Sequence, residues 1–196
     1  MKNKQLIEKV VTTFYDTHHK QPIVIYSPGR INLIGEHTDY NNGFVFPAAI
    51  NKGIVAGIQK SNSDLCTVFA MDVNESFEFS LNHLQPIKNG GWKNYVIGVV
   101  AETLKKATIK SNFNIVFAGN IPLGAGLSSS AALENSIVFG LNTLFNLGLT
   151  KEEMIFISQK AEHTFANVKC GIMDQYASMF GQENAAIFLD CKTLES

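Results

Sequence analysis

The ten residues Pro122-Leu-Gly-Ala-Gly-Leu-Ser-Ser-Ser-Ala131 constrain the fold of this chain more than any others. They follow an apolar run, Phe113-Asn-Ile-Val-Phe117, that reads as a strand, and they open an apolar stretch to about Leu144 that reads as a long helix. Any fold available to the chain must therefore hold a strand, a glycine-rich loop and a helix in that order. Glycine lets backbone approach an oxyanion closely, and the start of a helix offers unpaired N–H groups and the positive end of its dipole. The loop Gly124, Ala125, Gly126, Leu127, Ser128, Ser129, Ser130 thus has the chemistry of an anion site. Its three hydroxyls can reach phosphate oxygens, and an alcohol oxygen is a hard ligand suited to Mg2+ held between phosphates.

Two familiar phosphate loops do not fit. No Gly-Lys-Ser/Thr follows at the spacing of a Walker A loop. A dinucleotide fingerprint is closer, with Ser129 at its third glycine, but residues 140–151 hold no acid to grip a ribose. A serine cluster that only caps the helix is the plainer alternative.

A second constellation is Arg30 with Glu36, His37, Thr38 and Asp39. Sugar hydroxyls both donate and accept; carboxylates accept two donors at once, and His and Thr supply complementary partners. The quartet suits a polyol, and a solvated loop is its bland alternative. The turn signals Pro28-Gly29 and Asn41-Asn-Gly43 place it between two turns. Asp174 falls in the first turn of a short helix over 173–180, where a carboxylate is favoured by the dipole alone. Glu162 lies within a helix predicted from the capping box Thr150-Lys-Glu-Glu153 to about Asn167, with no Lys or Arg three or four residues away. A metal or water-bridged role and a solvated carboxylate both remain open for it.

Elsewhere the pattern predicts a helix over 4–18, a strand over 23–26 and extended structure at 44–46. Three β-rich stretches follow, around 53–59, 65–70 and 76–81, spaced like antiparallel strands. The remaining elements are a helix over 92–106 and a last strand at 186–189. Strands first, helices later and one strand returning describe an α+β fold, a mixed or antiparallel sheet with helices packed on one face. No repeat or linker divides residues 1–196, which read as one domain.

The net charge of −1, with no basic block, argues against nucleic acid or an anionic membrane as partner. Charged residues are 17% of the chain against roughly 25% in ordinary soluble domains, and hydrophobic ones 45%, so disorder is excluded and part of the surface is expected to be covered. Apolar runs such as 95–101 are far too short to span a membrane, and the basic start at Met1 and Lys2 has no apolar stretch behind it as a secretory signal would. Three cysteines without C-x-x-C spacing fit neither a disulfide framework nor a zinc site and point to a reducing, cytoplasmic setting.

Gly29-Arg-Ile-Asn-Leu-Ile-Gly-Glu-His-Thr-Asp-Tyr-Asn41 closely resembles the galactokinase signature. Pro122 to Ala131 resembles the phosphate loop of the wider GHMP small-molecule kinases, and Cys170-Gly-Ile-Met-Asp-Gln175 their catalytic-aspartate segment. The resemblance implies the GHMP kinase N-terminal domain, of the ribosomal protein S5 domain 2-like type, and ATP-dependent phosphorylation of α-D-galactose to galactose 1-phosphate. It implies Asp174 as proton acceptor, Arg30 as transition-state stabiliser, and Glu36, His37, Thr38 and Asp39 as sugar contacts. The loop Gly124 to Ser130 would hold the triphosphate, with Ser130 and Glu162 on Mg2+. Galactokinases are about twice this long, so the resemblance also implies an N-terminal fragment that packs against a missing C-terminal half, self-associates in its absence and has little activity alone. A non-catalytic galactose and ATP sensor of the same lineage and a dinucleotide-binding module are the alternatives.

Overall fold

Strand β3 (Pro47–Lys60) carries the architecture, because both of its faces are buried through residues 53–58. In the computed structural model, which describes residues 3–122 and 124–196, β3 pairs antiparallel with β1 (Ile23–Asn32) on one side and with β6 (Phe113–Gly119) on the other. Beyond β6 lie β4 (Cys66–Ala70) and β5 (Glu75–Phe79), giving a five-stranded sheet in the order β1-β3-β6-β4-β5. The strand that returns late in the chain therefore sits in the middle. Six of its seven residues are buried, which explains why it takes the central slot.

This placement corrects the simple antiparallel series expected for 53–59, 65–70 and 76–81. β4 and β5 do form an antiparallel pair, but β6 separates β4 from β3 and runs parallel to β4. The parallel pair requires a crossover, which α2 (Trp92–Leu104) supplies on the way from β5 to β6.

Alternation along β3 and β6 sends side chains to two cores. Ile54, Ala56, Ile58, Ile115 and Phe117 face a large cluster formed with α2, α3 (Ser129–Phe145) and α4 (Lys151–Ala161). Val55, Val116 and Ala118 face the other way, onto Val10 and Phe14 of α1 (Lys4–His18). The mixed α+β sheet is as expected, and α1 covers part of the second face where the chain was read as having helices on one face only. Val10 and Phe14 are both 0% exposed, and side chains of this size are worth about 1.5–3 kcal/mol each when fully buried.

Two local expectations changed. The Pro28-Gly29 turn does not form: β1 runs straight through it, and pairing slips from Pro28↔Gly53 to Arg30↔Ala49. The last strand contracts to β7 (Leu189–Asp190), which pairs with β2 (Phe44–Val45) in a separate two-stranded sheet. The capping box is present, with Thr150 Oγ1 accepting from the Glu153 N–H at 3.2 Å and the Thr150 N–H donating to Glu153 Oε2 at 3.0 Å. Past α4 the helix widens into a π-turn, Glu162–Ala166, before Asn167 ends it in the left-handed region. Helix α5 (Met173–Phe180) then packs against β1, α3 and α4.

Candidate functional site

The glycine-serine loop is held against β1. The Arg30 N–H donates to the Leu127 carbonyl at 3.2 Å, and a Cβ on Gly29 would stand 2.5 Å from that same oxygen. Gly29 is therefore required for close approach of the loop rather than for a turn. Ser128, at the head of α3, has φ 58° and makes no capping bond to the helix. Its hydroxyl instead donates to Asp174 Oδ2 at 2.6 Å, so the capping alternative does not describe it. Leu123, inside the loop motif, lies outside the described residues, as do Met1 and Lys2 of the basic start.

Asp174 stands in the first turn of α5 and is met by two elements at once. Arg30 Nε donates to its Oδ1 at 2.7 Å, and Arg30 Nη2 approaches the same oxygen at 2.7 Å. Arg30 Nη1 donates to the Gly126 carbonyl at 2.6 Å. One guanidinium thus joins the strand bearing the sugar-like signature, the loop and α5, which its planar fork of donors allows and a lysine could not reproduce.

Two hollows meet at this junction. One, of about 270 Å³, is lined by the loop from Gly124 to Ser130 with Arg30 and Asp174. The other, of about 440 Å³, is lined by Glu36, His37, Asp39 and Tyr40 together with Gly126, Gly171, Arg30 and Asp174. Arg30, Gly126 and Asp174 belong to both, so a group transferred between occupants of the two would pass beside them.

The polar quartet divides. Glu36 and His37 are exposed in the second hollow, with His37 Nδ1 2.6 Å from the Tyr40 hydroxyl. Asp39 is pressed against the start of α5: a Cβ on Gly171 would collide with its carboxylate. Burial pushes the Asp39 carboxyl above its ordinary value, and the nearby negative charge of Asp174 adds to the rise. Thr38 is turned inward. Its hydroxyl lies 2.6 Å from the Gly35 carbonyl and 2.7 Å from that of Phe44, and it closes the loop instead of lining the hollow.

Glu162 opens the π-turn and is 4% exposed. It does not line the loop hollow. It stands near Glu134, which lies one helical turn past Ser130 on α3 and is 0% exposed. Burial raises the Glu134 carboxyl well above its ordinary value, and the charge of Glu162 raises it further. Glu134 Oε1 has no hydrogen-bond partner, and its Oε2 receives only a long bond, 3.5 Å, from Gln175 Nε2. Two buried carboxylates are hard oxygen donors of the kind a small divalent cation takes, and Ser130 lies one helical turn before Glu134 on α3.

Sequence reasoning did not single out Glu134 or Tyr40, and it takes Gly171 as permitting a turn, not as the seat of Asp39. Glu134 had a signal, since it is four residues from Ser130 on one helix face, whereas the role of Gly171 depends on where Asp39 folds. The dinucleotide-binding reading fails on topology: α3 leads into α4 and not into a parallel strand, so among the described residues no βαβ unit follows the loop.

Family models match two segments, a galactokinase galactose-binding signature over residues 12–60 and the GHMP kinases N terminal domain over 94–182. A galactokinase of Clostridium tetani is 44% identical over 171 residues, covering 87% of this chain and 44% of its own length. One from Haemophilus influenzae is 42% identical over 192 residues, covering 97% of this chain and 50% of its own. The structure of Lactococcus lactis galactokinase complexed with galactose superposes with a TM-score of 0.90 at 36% identity, over 96% of this chain and 50% of that one. Mevalonate kinase of Methanococcus jannaschii shares the fold, with a TM-score of 0.73 at 23% identity over 82% of this chain and 52% of that one. The chain spans about half the length of the curated relatives it matches. With the loop, the signature strand and the head of α5 meeting at one charge pair, and with these relatives covering nearly its whole length, the chain belongs to the galactokinase family of GHMP kinases and corresponds to the N-terminal region of its members.

Proposed function

We propose that residues 1–196 form the sugar- and phosphate-binding half of a kinase that transfers the γ-phosphoryl group of ATP to the anomeric hydroxyl of α-D-galactose, giving galactose 1-phosphate and ADP. The observation that carries the reading is the pair of hollows sharing Arg30, Gly126 and Asp174. Galactose occupies the hollow of Glu36, His37 and Asp39, with Thr38 holding their loop in shape. The triphosphate lies along Gly124 to Ser130, the loop that lines the other hollow.

In phosphoryl transfer a protein mainly positions the reactants and neutralises charge on the phosphoryl oxygens. Arg30 is fixed for that task by its bonds to Asp174 and Gly126. Asp174 orients the sugar hydroxyl and accepts its proton as the new O–P bond forms; an ordinary carboxylate is a weak base toward an alcohol, so transfer of that proton comes late. The galactose hydroxyl must displace the Ser128 hydroxyl from Oδ2, or share that oxygen with it. Ser130 and Glu162 would hold Mg2+ with the phosphates, where its positive charge would help to neutralise that of the phosphoryl oxygens. The buried, unpartnered oxygen of Glu134 supports a cation at this place.

The other half of the enzyme covers exposed apolar side chains such as Phe188 (61% exposed) and Phe44. Phe44 and Phe188 stack there with ring centroids 5.2 Å apart, an apolar patch of the kind that marks an interface. No helix among the described residues is long and apolar enough to cross a membrane. The three cysteines are free, as suits a reducing setting, and we place the enzyme in the cytoplasm. A coupled assay with galactose and ATP, run on a full-length chain and on these 196 residues, tests the reading. Galactose-dependent ADP release by the full-length chain and little by the shorter one is expected; none from the full-length chain would overturn it.

A further inference from the structure

Helix α5 and strand β1 are joined by two polar rungs. The outer rung is Arg30 to Asp174. The inner one lies one helical turn along α5 and two residues back along β1, where the Ser178 hydroxyl donates to the Pro28 carbonyl at 2.6 Å. With its proton committed there, Ser178 accepts from the Ser27 hydroxyl, 2.9 Å away. Ser178 is 6% exposed and Ser27 is 4% exposed. Asp174 and Ser178, four apart, share a face of α5, and each bonds to β1, one to the Arg30 side chain and the other to the Pro28 carbonyl, so both rungs join the same two elements.

The inner rung stands where β1 loses regular support from β3. Pairing slips between Pro28↔Gly53 and Arg30↔Ala49. At the slip, the backbone bonds of Gly53 go to the β6 side, in step with the Ile54↔Gly119 pair: its N–H donates to Asn120 Oδ1 at 2.8 Å and its carbonyl accepts from the Asn120 N–H at 3.1 Å. Other polar ties of α5 run elsewhere, such as Asn135 Nδ2 to the Gln175 carbonyl at 2.9 Å, Gln175 Nε2 to Glu134 and Ser128 to Asp174, and these do not reach β1.

We infer that Ser178 is a positioning residue for the Arg30–Asp174 pair: its bond to the Pro28 carbonyl sets the spacing between α5 and the slipped stretch of β1, so that the guanidinium meets the carboxylate. The inference rests on the proposed kinase reading. A hydroxyl is suited to the task because it bonds a carbonyl that a buried aliphatic side chain would leave without a partner. Its effect on turnover follows from geometry, since misplacing reacting groups by about 1 Å can slow a reaction about 100-fold.

The experiment compares Ser178→Ala, Ser178→Cys and Ser27→Ala in the full-length chain. Two quantities are read, the steady-state kcat and KM for galactose and the solvent-exchange rate of the Arg30 Nε–H by NMR. Ser178→Ala is expected to lower kcat about tenfold with KM within about twofold, and to speed Nε–H exchange at least about threefold. Ser178→Cys, of similar shape but a weak donor, should fall between it and the wild type, and it carries the test if the alanine variant does not fold. Ser27→Ala removes a neighbouring hydroxyl but leaves the bond to Pro28, and should change neither quantity. Unchanged kcat and exchange in both Ser178 variants would overturn the inference, as would equal losses in Ser27→Ala. Should the wild type fail to phosphorylate galactose, the kinase reading falls while the exchange comparison still decides the role of Ser178.

Discussion

Arg30 and Asp174 face each other at 2.7 Å across a gap that only the folded chain closes, with side chains 14% and 25% exposed. A charge pair this sheltered is aligned before any substrate arrives, which is where preorganised electrostatic catalysis draws its strength. Its two members are expected to fail in different ways when altered.

Asp174→Asn keeps the size of the side chain and removes its ability to accept a proton. In a full-length chain kcat should fall by about 10²–10⁴, the usual contribution of a positioned acid or base, while galactose affinity changes little. Coupled turnover and titration calorimetry read the two effects separately, and comparable turnover at saturating sugar would remove Asp174 from the reaction.

Arg30→Lys keeps the positive charge but cannot bridge Asp174 Oδ1 and the Gly126 carbonyl together. A loss of about 10²–10³ in kcat is expected, as for removal of one fixed donor to a developing charge. If lysine supported wild-type turnover, charge alone would be sufficient and the three-element junction would have no catalytic part.

Gly171→Ala probes the hollow proposed for the sugar without removing a polar group. The new Cβ would run into the Asp39 carboxylate, which sits against the start of α5. Overpacking costs about 1–3 kcal/mol, so galactose should bind at least about fivefold more weakly while nucleotide binding is unchanged. Calorimetry with each ligand checks it; a variant that binds galactose normally would show that Asp39 has room to move.

A fourth expectation concerns stability and pH. His18 Nδ1 lies 3.0 Å from Asn114 Nδ2, an atom that can only donate, so the imidazole must accept and be neutral. Burial holds the His18 pKa below its ordinary value of 6.5, helped by the charges of His19 and Lys20. Between the lowered value and 6.5 the unfolded chain binds more protons than the folded one, so the His18 contribution to stability should rise with pH through that window and be flat on either side of it. His18→Gln should flatten that slope in melts recorded as a function of pH; an unchanged slope would assign it to other groups.

Sequence pattern located most elements because their signals are local. The period of α1, the capping box at Thr150 and the loop between β6 and α3 depend on neighbours a few residues away. The position of β6 between β3 and β4 was not legible, since strand order is decided by pairings between segments more than 40 residues apart. Pro28-Gly29 reads as a turn for the same reason: the residue that makes Gly29 necessary is Leu127, nearly 100 positions away. At the site, the spacing of Glu36 to Asp39 marked a polar cluster but could not show Thr38 turned inward. The resemblance to galactokinases singled out Arg30 and Asp174; only the fold brings them into contact.

Glu162→Gln addresses the proposed Mg2+ site. Glu162 and Glu134 are both buried, stand close enough to raise the Glu134 carboxyl, and have no Lys or Arg bridged to them among the described residues. Burying like charges together is costly unless a cation is shared between them and the phosphates. Removing the charge of Glu162 should therefore weaken binding of Mg·ATP by about tenfold while leaving both galactose binding and Mg-free nucleotide binding as they were. Titration calorimetry with ATP, with and without Mg2+, separates the cases. Equal weakening in both would mean that Glu162 shapes the π-turn and the loop beside it, and unchanged affinity in both would make its carboxylate structural.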